Sequence, residues 1–258
     1  MNDLMIALIL AVVQGITEWL PISSSGHLVL FEHFLGFQGG NLLFDVAVHF
    51  GTLMAVFVYF GKDIIDIIRE ILSLNFKSDN GKLGIALIFS SIPAGIVGFL
   101  FLDYFEGIFN DLIVIALGFA ITSLLLFIAS FDFSKRKKIP GFLDSIYVGL
   151  VQVLSLVPGI SRSGTTLSAG ILRGLDTKSA AKFSFLMAIP VIFGANVLVV
   201  GNTPLPSDLI WASLVAFIVG LLTIHWMMKF VVASRKNLRW FALYALLLSL
   251  SIGVYLLS

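Results

Sequence analysis

The chain has 258 residues, 59% of them hydrophobic and 12% charged, where an ordinary soluble domain runs at about 45–50% apolar and about 25% charged. Its mean hydropathy of +1.05 excludes a water-soluble enzyme, because a fold of this length has too little core to hide so much apolar surface, and it points to an integral membrane protein. A net charge of +1, with 16 basic residues spread over short loops, carries no sign of a nucleic-acid partner, and the absence of cysteine excludes a disulfide framework, a thiol nucleophile and a thiolate metal site.

The first apolar run, residues 4–17, has Asp3 ahead of it, no Lys or Arg and no small-residue cleavage site, so it is not expected to be a removed signal peptide. It is also too short to cross about 30 Å of hydrocarbon. Glu18 and Pro21 close it, and Ser23-Ser24-Ser25-Gly26-His27 leads into a second short run that ends at Leu35. Spans are then expected at 43–61, 83–102 and 112–131. Residues 142–157 repeat the opening pattern, closed by Pro158-Gly159 and followed by Ser161-Arg162-Ser163-Gly164 and a short run to Leu172, and further spans are expected at 183–200, 209–228 and 240–258. Two short helices around a polar break predict a re-entrant hairpin, tolerated at membrane depth only where the irregular backbone is buried in protein or lines a wet cavity.

The two hairpins are related. A constant offset of 138 aligns residues 13–26 with 151–164, and six of the fourteen pairs are identical, including an S-x-S-G inside each break. Orientation follows from Lys and Arg, which collect in short cytoplasmic loops. Fifteen of the 16 basic residues fall between spans one and two, after span three, before span four, or between spans five and six, while the connections 103–111 and 201–208 hold none. This predicts six spans with both termini outside. Residues 1–131 (hairpin 4–35 plus three spans) and 142–258 (hairpin 142–172 plus three spans) then have opposite orientation. The expected fold is an all-α polytopic membrane protein, with six transmembrane helices and two re-entrant helical hairpins in an inverted-topology repeat within one membrane domain.

The basic residue left over is Arg162, at the tip of the second hairpin. An intramembrane arginine marks a site with an anionic partner by default, and its planar fork suits phosphate or carboxylate. Ser161, Ser163, Gly164, Thr165 and Thr166 surround it at the start of a helix, where free N–H groups and the helix dipole favour an anion, and Ser23, Ser24, Ser25 and Gly26 repeat the device in the first hairpin. Glu18 lies four residues after Gln14, so both project from one helix face toward the break. A carboxylate there needs a metal, a proton or a partner, and the bland reading is an ion pair with Arg162. His27 can act as nucleophile, acid or base near neutral pH. Asp45 and His49, four residues apart in the first span, either assist the site or anchor that span.

The stretches Gln14-Gly15-Ile16-Thr17-Glu18-Trp19-Leu20-Pro21-Ile22-Ser23-Ser24-Ser25-Gly26-His27 and Pro158-Gly159-Ile160-Ser161-Arg162-Ser163-Gly164-Thr165-Thr166 resemble the two signature motifs of the undecaprenyl-diphosphate phosphatases, also called bacitracin-resistance phosphatases, and 44–52 resembles a third. The resemblance covers essentially the whole chain. It implies a plasma-membrane enzyme that removes one phosphate from a polyprenyl diphosphate lipid, recycling the carrier for cell-wall synthesis, with a divalent metal such as Mg²⁺ or Ca²⁺ and a site facing outward. By position it implies that Arg162 binds the diphosphate, that Glu18 and His27 are catalytic, and that Ser24, Ser161 and Thr166 handle phosphate. Gln14 stands where many relatives have a second glutamate, and its amide can ligate a metal but cannot serve as a base. The residues leave open whether serine or His27 attacks phosphorus, and whether the chain forms a homodimer. A polyprenyl-phosphate flippase or secondary transporter is the alternative that an inverted repeat allows.

Overall fold

The computed structural model describes residues 3–37, 42–131, 137–200 and 207–258. Lys135, Arg136 and most of the 201–208 connection lie outside them. Among the described residues every regular element is a helix, and the one β feature is an isolated bridge between Lys137 and Leu175. The helices are α1 (Asp3–Thr17), α2 (Ser24–Leu35), α3 (Leu42–Tyr59), α4 (Gly61–Leu72), α5 (Asp79–Leu100), α6 (Leu102–Ile108), α7 (Leu112–Ala129), α8 (Phe142–Gln152), α9 (Arg162–Leu172), α10 (Thr177–Val200), α11 (Ser207–Ala233) and α12 (Leu238–Leu257).

Four segments, Asp79–Leu100, Leu112–Ala129, Leu209–Ala233 and Arg235–Leu257, are each long and apolar enough to cross a bilayer. A fifth is made by Leu43–Tyr59 with Gly61–Leu72, bent by 80°. Their outward stripes are large and apolar: Ile88, Ile92, Ile96 and Phe99 on α5, Leu117 and Leu124 on α7, and Leu247, Leu250 and Val254 on α12 are all exposed. Water would penalise such stripes, and lipid does not. The bend corrects the expected span 43–61. Its helix stops at Tyr59, and Gly61-Lys62-Asp63-Ile64-Ile65-Asp66-Ile67-Ile68 starts a separate amphipathic helix that buries Ile67 and carries its charges on the other side.

Both hairpins break where the sequence stops supporting a helix. Pro21 cannot continue α1, and Val157, ahead of Pro158, is extended (φ −78°, ψ 127°). Each chain then restarts on a serine N-cap. Ser23 Oγ accepts the Gly26 N–H at 3.4 Å, and Ser161 Oγ accepts the Gly164 N–H at 3.0 Å. The first helix of each hairpin lies on a long helix of the other half, α1 on α11 and α8 on α5. Close approach is permitted by Gly15, whose missing Cβ would sit 3.0 Å from the Ala216 carbonyl oxygen, and by Gly149, whose Cβ would sit 2.5 Å from that of Ser90. The two breaks also touch reciprocally: a Cβ on Gly26 would meet Gly159 backbone at 3.2 Å, and one on Gly164 would meet the Pro21 carbonyl oxygen at 3.1 Å.

Candidate active site between the two breaks

Glu18 is the hub of the site. Its carboxylate is 5% exposed, and a buried charge of this kind must be paired and hydrogen-bonded. Arg162 Nη2 donates to Oε1 in a short ion pair. Ser24 Oγ donates to Oε2 at 2.5 Å, Gln14 Nε2 donates to the same oxygen at 3.1 Å, and His49 Nε2 lies 3.6 Å from it. His49 Nδ1–H donates to the Asp45 carbonyl at 2.7 Å, which fixes the ring with Nε2 toward Glu18. Gln14 and Glu18 meet because four residues is one helical turn, while Arg162 reaches Glu18 from the second break, 144 positions on.

Ser24 and Arg162 occupy equivalent positions under the 138-residue offset. Each is the first helical residue after its serine cap, and each contacts a different oxygen of Glu18. Helix starts of this kind carry N–H groups without intrahelical partners and the positive end of the dipole. The cleft they share, about 290 Å³, is lined by Glu18, Ser23, Ser24, Ser25, Asp45, His49, Ser161, Arg162 and Ser163, with Phe109, Val191 and Ile192 among its apolar walls. Arg162 has its guanidinium carbon 5.6 Å from the centroid of the Trp19 ring, and its Nη1 is buried with no hydrogen-bond partner. A buried donor on a charged group without an acceptor is costly. This arrangement leaves one Arg162 donor free for an acceptor.

The other expected residues sit behind this surface. His27 is 3% exposed and does not line the cleft. Its Nδ1–H donates to the Ser23 carbonyl at 2.7 Å, and its Nε2 accepts from Tyr244 Oη at 2.7 Å, with the two rings stacked. Ser23 holds φ 68°, a left-handed conformation that costs a non-glycine residue of the order of 1 kcal/mol, and His27 clamps its carbonyl. Thr166 Oγ1 donates to the Arg162 carbonyl at 2.8 Å and bonds Ser184 Oγ at 2.6 Å, and Thr165 is buried with its hydroxyl unpartnered. Gly26 and Gly164 serve the close approach of the breaks. His27, expected to be catalytic, and Gly26, Gly164, Thr165 and Thr166, expected to bind phosphate, do not line the cleft in this geometry. Trp19 and Tyr244 were not singled out from the sequence. Trp19 lies inside the first motif, whereas Tyr244 is 217 positions from His27 and no local pattern announces it.

Among the described residues no three His, Asp or Glu side chains gather as a metal cage. Glu18 offers its carboxylate to the cleft, and the buried, unpartnered Oε1 of Gln14 would join it once the Gln14 amide, which turns Nε2 to Glu18, turns over. A Mg²⁺ shared with substrate phosphates takes only one or two carboxylates from protein, so this oxygen donor set fits such an ion. Gln152, which the 138-residue offset aligns with Gln14, is buried with both polar atoms unpartnered, and Leu156 stands in sequence where Glu18 follows Gln14, so residues 142–172 hold no equivalent pair.

Fold and site together define a multi-pass membrane protein with a buried, anion-seeking polar centre between two broken helices. The family model described as Bacitracin resistance protein BacA matches residues 7–251, and the chain belongs to that family. It is 39% identical over 257 residues to an undecaprenyl-diphosphatase of Carboxydothermus hydrogenoformans, covering 96% of this chain and 95% of the relative. It is 37% identical over 254 residues to one of Methanococcus vannielii, covering 96% and 99%, and 44% identical over 196 residues to one of Alteromonas mediterranea, covering 74% of each.

Proposed function

We propose that the protein hydrolyses undecaprenyl diphosphate to the monophosphate and inorganic phosphate, and that Ser24 is the nucleophile, Glu18 its base and Arg162 the diphosphate clamp. The observation that carries this is the alignment on one carboxylate: Ser24 Oγ donates to Oε2 at 2.5 Å while Arg162 holds Oε1 and keeps Nη1 unpartnered beside it. Glu18 takes the Ser24 proton as Oγ attacks the terminal phosphorus. The bond to the bridging oxygen breaks, the lipid leaves as its monophosphate, and water then releases phosphate from the serine, returning the proton through Glu18. Charge on the equatorial oxygens is met by Arg162 and by the first N–H groups of α2 and α9. Glu18 and Gln14 would hold a Mg²⁺ or Ca²⁺ shared with the diphosphate, which supplies further charge neutralisation when bound. His27 acts as a positioning residue that fixes Ser23, and through it the start of α2. The transporter alternative draws no support from the diphosphatase relatives.

The same reading includes six spans, two re-entrant hairpins and an inverted repeat at the plasma membrane, with both termini outside and the site facing outward. The repeat is supported by the reciprocal packing of α1 on α11 and α8 on α5, by the paired serine caps and by the equivalence of Ser24 and Arg162.

Ser24→Ala tests the assignment. It should fold, with a Tm lowered only by the lost hydrogen bond to Glu18, worth about 1.5–3 kcal/mol, lose at least about 1000-fold in phosphate release, as expected for a lost nucleophile, and carry no labelled phosphate after acid quench, whereas the parent is labelled on the Ser24 peptide. Near-parental turnover by Ser24→Ala would remove Ser24 from this role.

A further inference from the structure

α7 lies between Phe109, just ahead of it, which lines the Glu18 cleft, and Ser130 and Phe131, just after it, which line a second one. Its 18 residues separate the two by roughly 27 Å. Among the described residues, the second cleft, about 500 Å³, is lined by four cations, Lys178, Arg235, Lys236 and Arg239, and by one carboxylate, Asp176, whose Oδ1 already accepts the Ser179 N–H at 2.7 Å. Some basic residues elsewhere are paired, Lys137 and Arg173 with Asp144, Lys182 with Asp63, and Arg69 with Asp66; others, such as Lys62 and Lys229, stand singly, and among the described residues only here do several gather in one cleft. Among the described residues, Lys178, Lys236 and Arg239 are in no ion pair. Neutral groups hold Arg239 in place. Arg239 Nε donates to Ser130 Oγ at 3.1 Å, with its guanidinium 5.3 Å from the Phe131 ring centroid, and Arg235 donates to the Phe131 carbonyl at 3.1 Å.

A groove of about 750 Å³ adjoins this cleft, sharing Lys236 and Arg239 with it. It runs between α7 and α12 past Phe127, Leu124 and Leu246 as far as Ala120. Seven residues of helix from Phe127 to Ala120 make it roughly 10 Å deep. Trp240 stands where cleft and groove meet, 65% exposed, and an indole in such a place belongs at headgroup level.

A cationic cleft opening into an apolar groove asks for one ligand with an anionic head and a hydrocarbon tail. We infer that this paired cleft binds an anionic phospholipid, with the phosphodiester among Lys178, Lys236 and Arg239 and one acyl chain in the α7–α12 groove. Only the side of the membrane rests on the topology proposed above, which places this site in the cytoplasmic leaflet. A free phosphate would leave the groove unfilled, and a neutral lipid would leave the cations unmatched.

Native mass spectrometry of the detergent-purified full chain, offered equal phosphatidylglycerol and phosphatidylcholine, tests the site. The parent should retain phosphatidylglycerol over phosphatidylcholine by at least about tenfold. Each lost charge is worth about fivefold near a membrane surface, so combined Lys178→Gln, Lys236→Gln and Arg239→Gln should weaken phosphatidylglycerol binding roughly a hundredfold at low salt and leave phosphate release in lipid-free detergent unchanged. Leu243→Trp fills the groove without altering charge and should lower retention at least fivefold, which keeps the inference testable if the triple variant folds poorly. Equal retention of the two lipids by the parent, or unchanged retention in Leu243→Trp, overturns the inference. Tighter retention of undecaprenyl monophosphate than of phosphatidylglycerol overturns it as well, since the cleft would then be a product site.

Discussion

Glu18 shows how one residue can be both satisfied and poised. Its two oxygens are shared among Arg162, Ser24 and Gln14, so the ion pair with Arg162 that the sequence suggested as the bland alternative is present, and the unpartnered Arg162 Nη1 is what takes the arrangement beyond it. A lysine at position 162 could pair with Glu18 or with phosphate but not present the fork that does both. Arg162→Lys should fold and lose about 2–4 kcal/mol of transition-state stabilisation, roughly 30- to 1000-fold in phosphate release; parental turnover in a folded Lys variant would make Arg162 structural. The residues nearest the chemistry were legible because their positions in the chain are unusual: a carboxylate at the end of an apolar helix, and an arginine far from every basic loop. The facing of the others was not. Proximity in sequence put His27, Thr165 and Thr166 beside the site, but the helical turn carries His27 toward Tyr244 and Thr166 toward Ser184, partners that sequence spacing cannot announce.

At the scale of elements, the breaks were legible from proline, glycine and the serine caps, and the long helices from their apolar runs. α4 was missed because its isoleucines extend the apolar run of α3 in composition, although their spacing changes to that of a surface helix. The start of α8 carries a separate device. Asp144, with its side chain 4% exposed, accepts from Lys137 Nζ and Arg173 Nε at 2.9 Å each and from the Gly141 N–H at 3.0 Å, tying α8 to the end of α9. Burial alone would raise the Asp144 carboxyl; Lys137, the Gly141 N–H and Arg173 outweigh it and hold the group below its ordinary value of 3.8. Because the folded value is depressed, the stabilisation is fully present above about pH 4 and is lost as pH falls through the folded value. Asp144→Asn should cost roughly 1.5–3 kcal/mol at pH 7, seen as a lower Tm, with the gap to the parent closing under more acid conditions. A gap that stays constant down to pH 2 would contradict the linkage.

For the whole molecule, the two halves contribute unequally to one site: the acid, the serine and His49 come from the first, and the arginine from the second. Under the 138-residue offset, Leu156 stands where Glu18 does and Gln152 where Gln14 does. Orientation rests on the basic residues. With Cys introduced at Lys138 or at Asp103, both exposed, a membrane-impermeant thiol reagent applied outside intact cells should label position 103 and spare 138, and the reverse pattern would invert the topology. Hydrolysis itself is tested most directly away from any second compartment, where transport alone yields no product. Detergent-purified protein given undecaprenyl diphosphate and Mg²⁺ should release one phosphate per lipid and leave the monophosphate, while Glu18→Gln, folded and still binding the lipid, should release almost none. A parent that binds the lipid but liberates no phosphate, or a Glu18→Gln variant that turns over at the parental rate, would contradict the account.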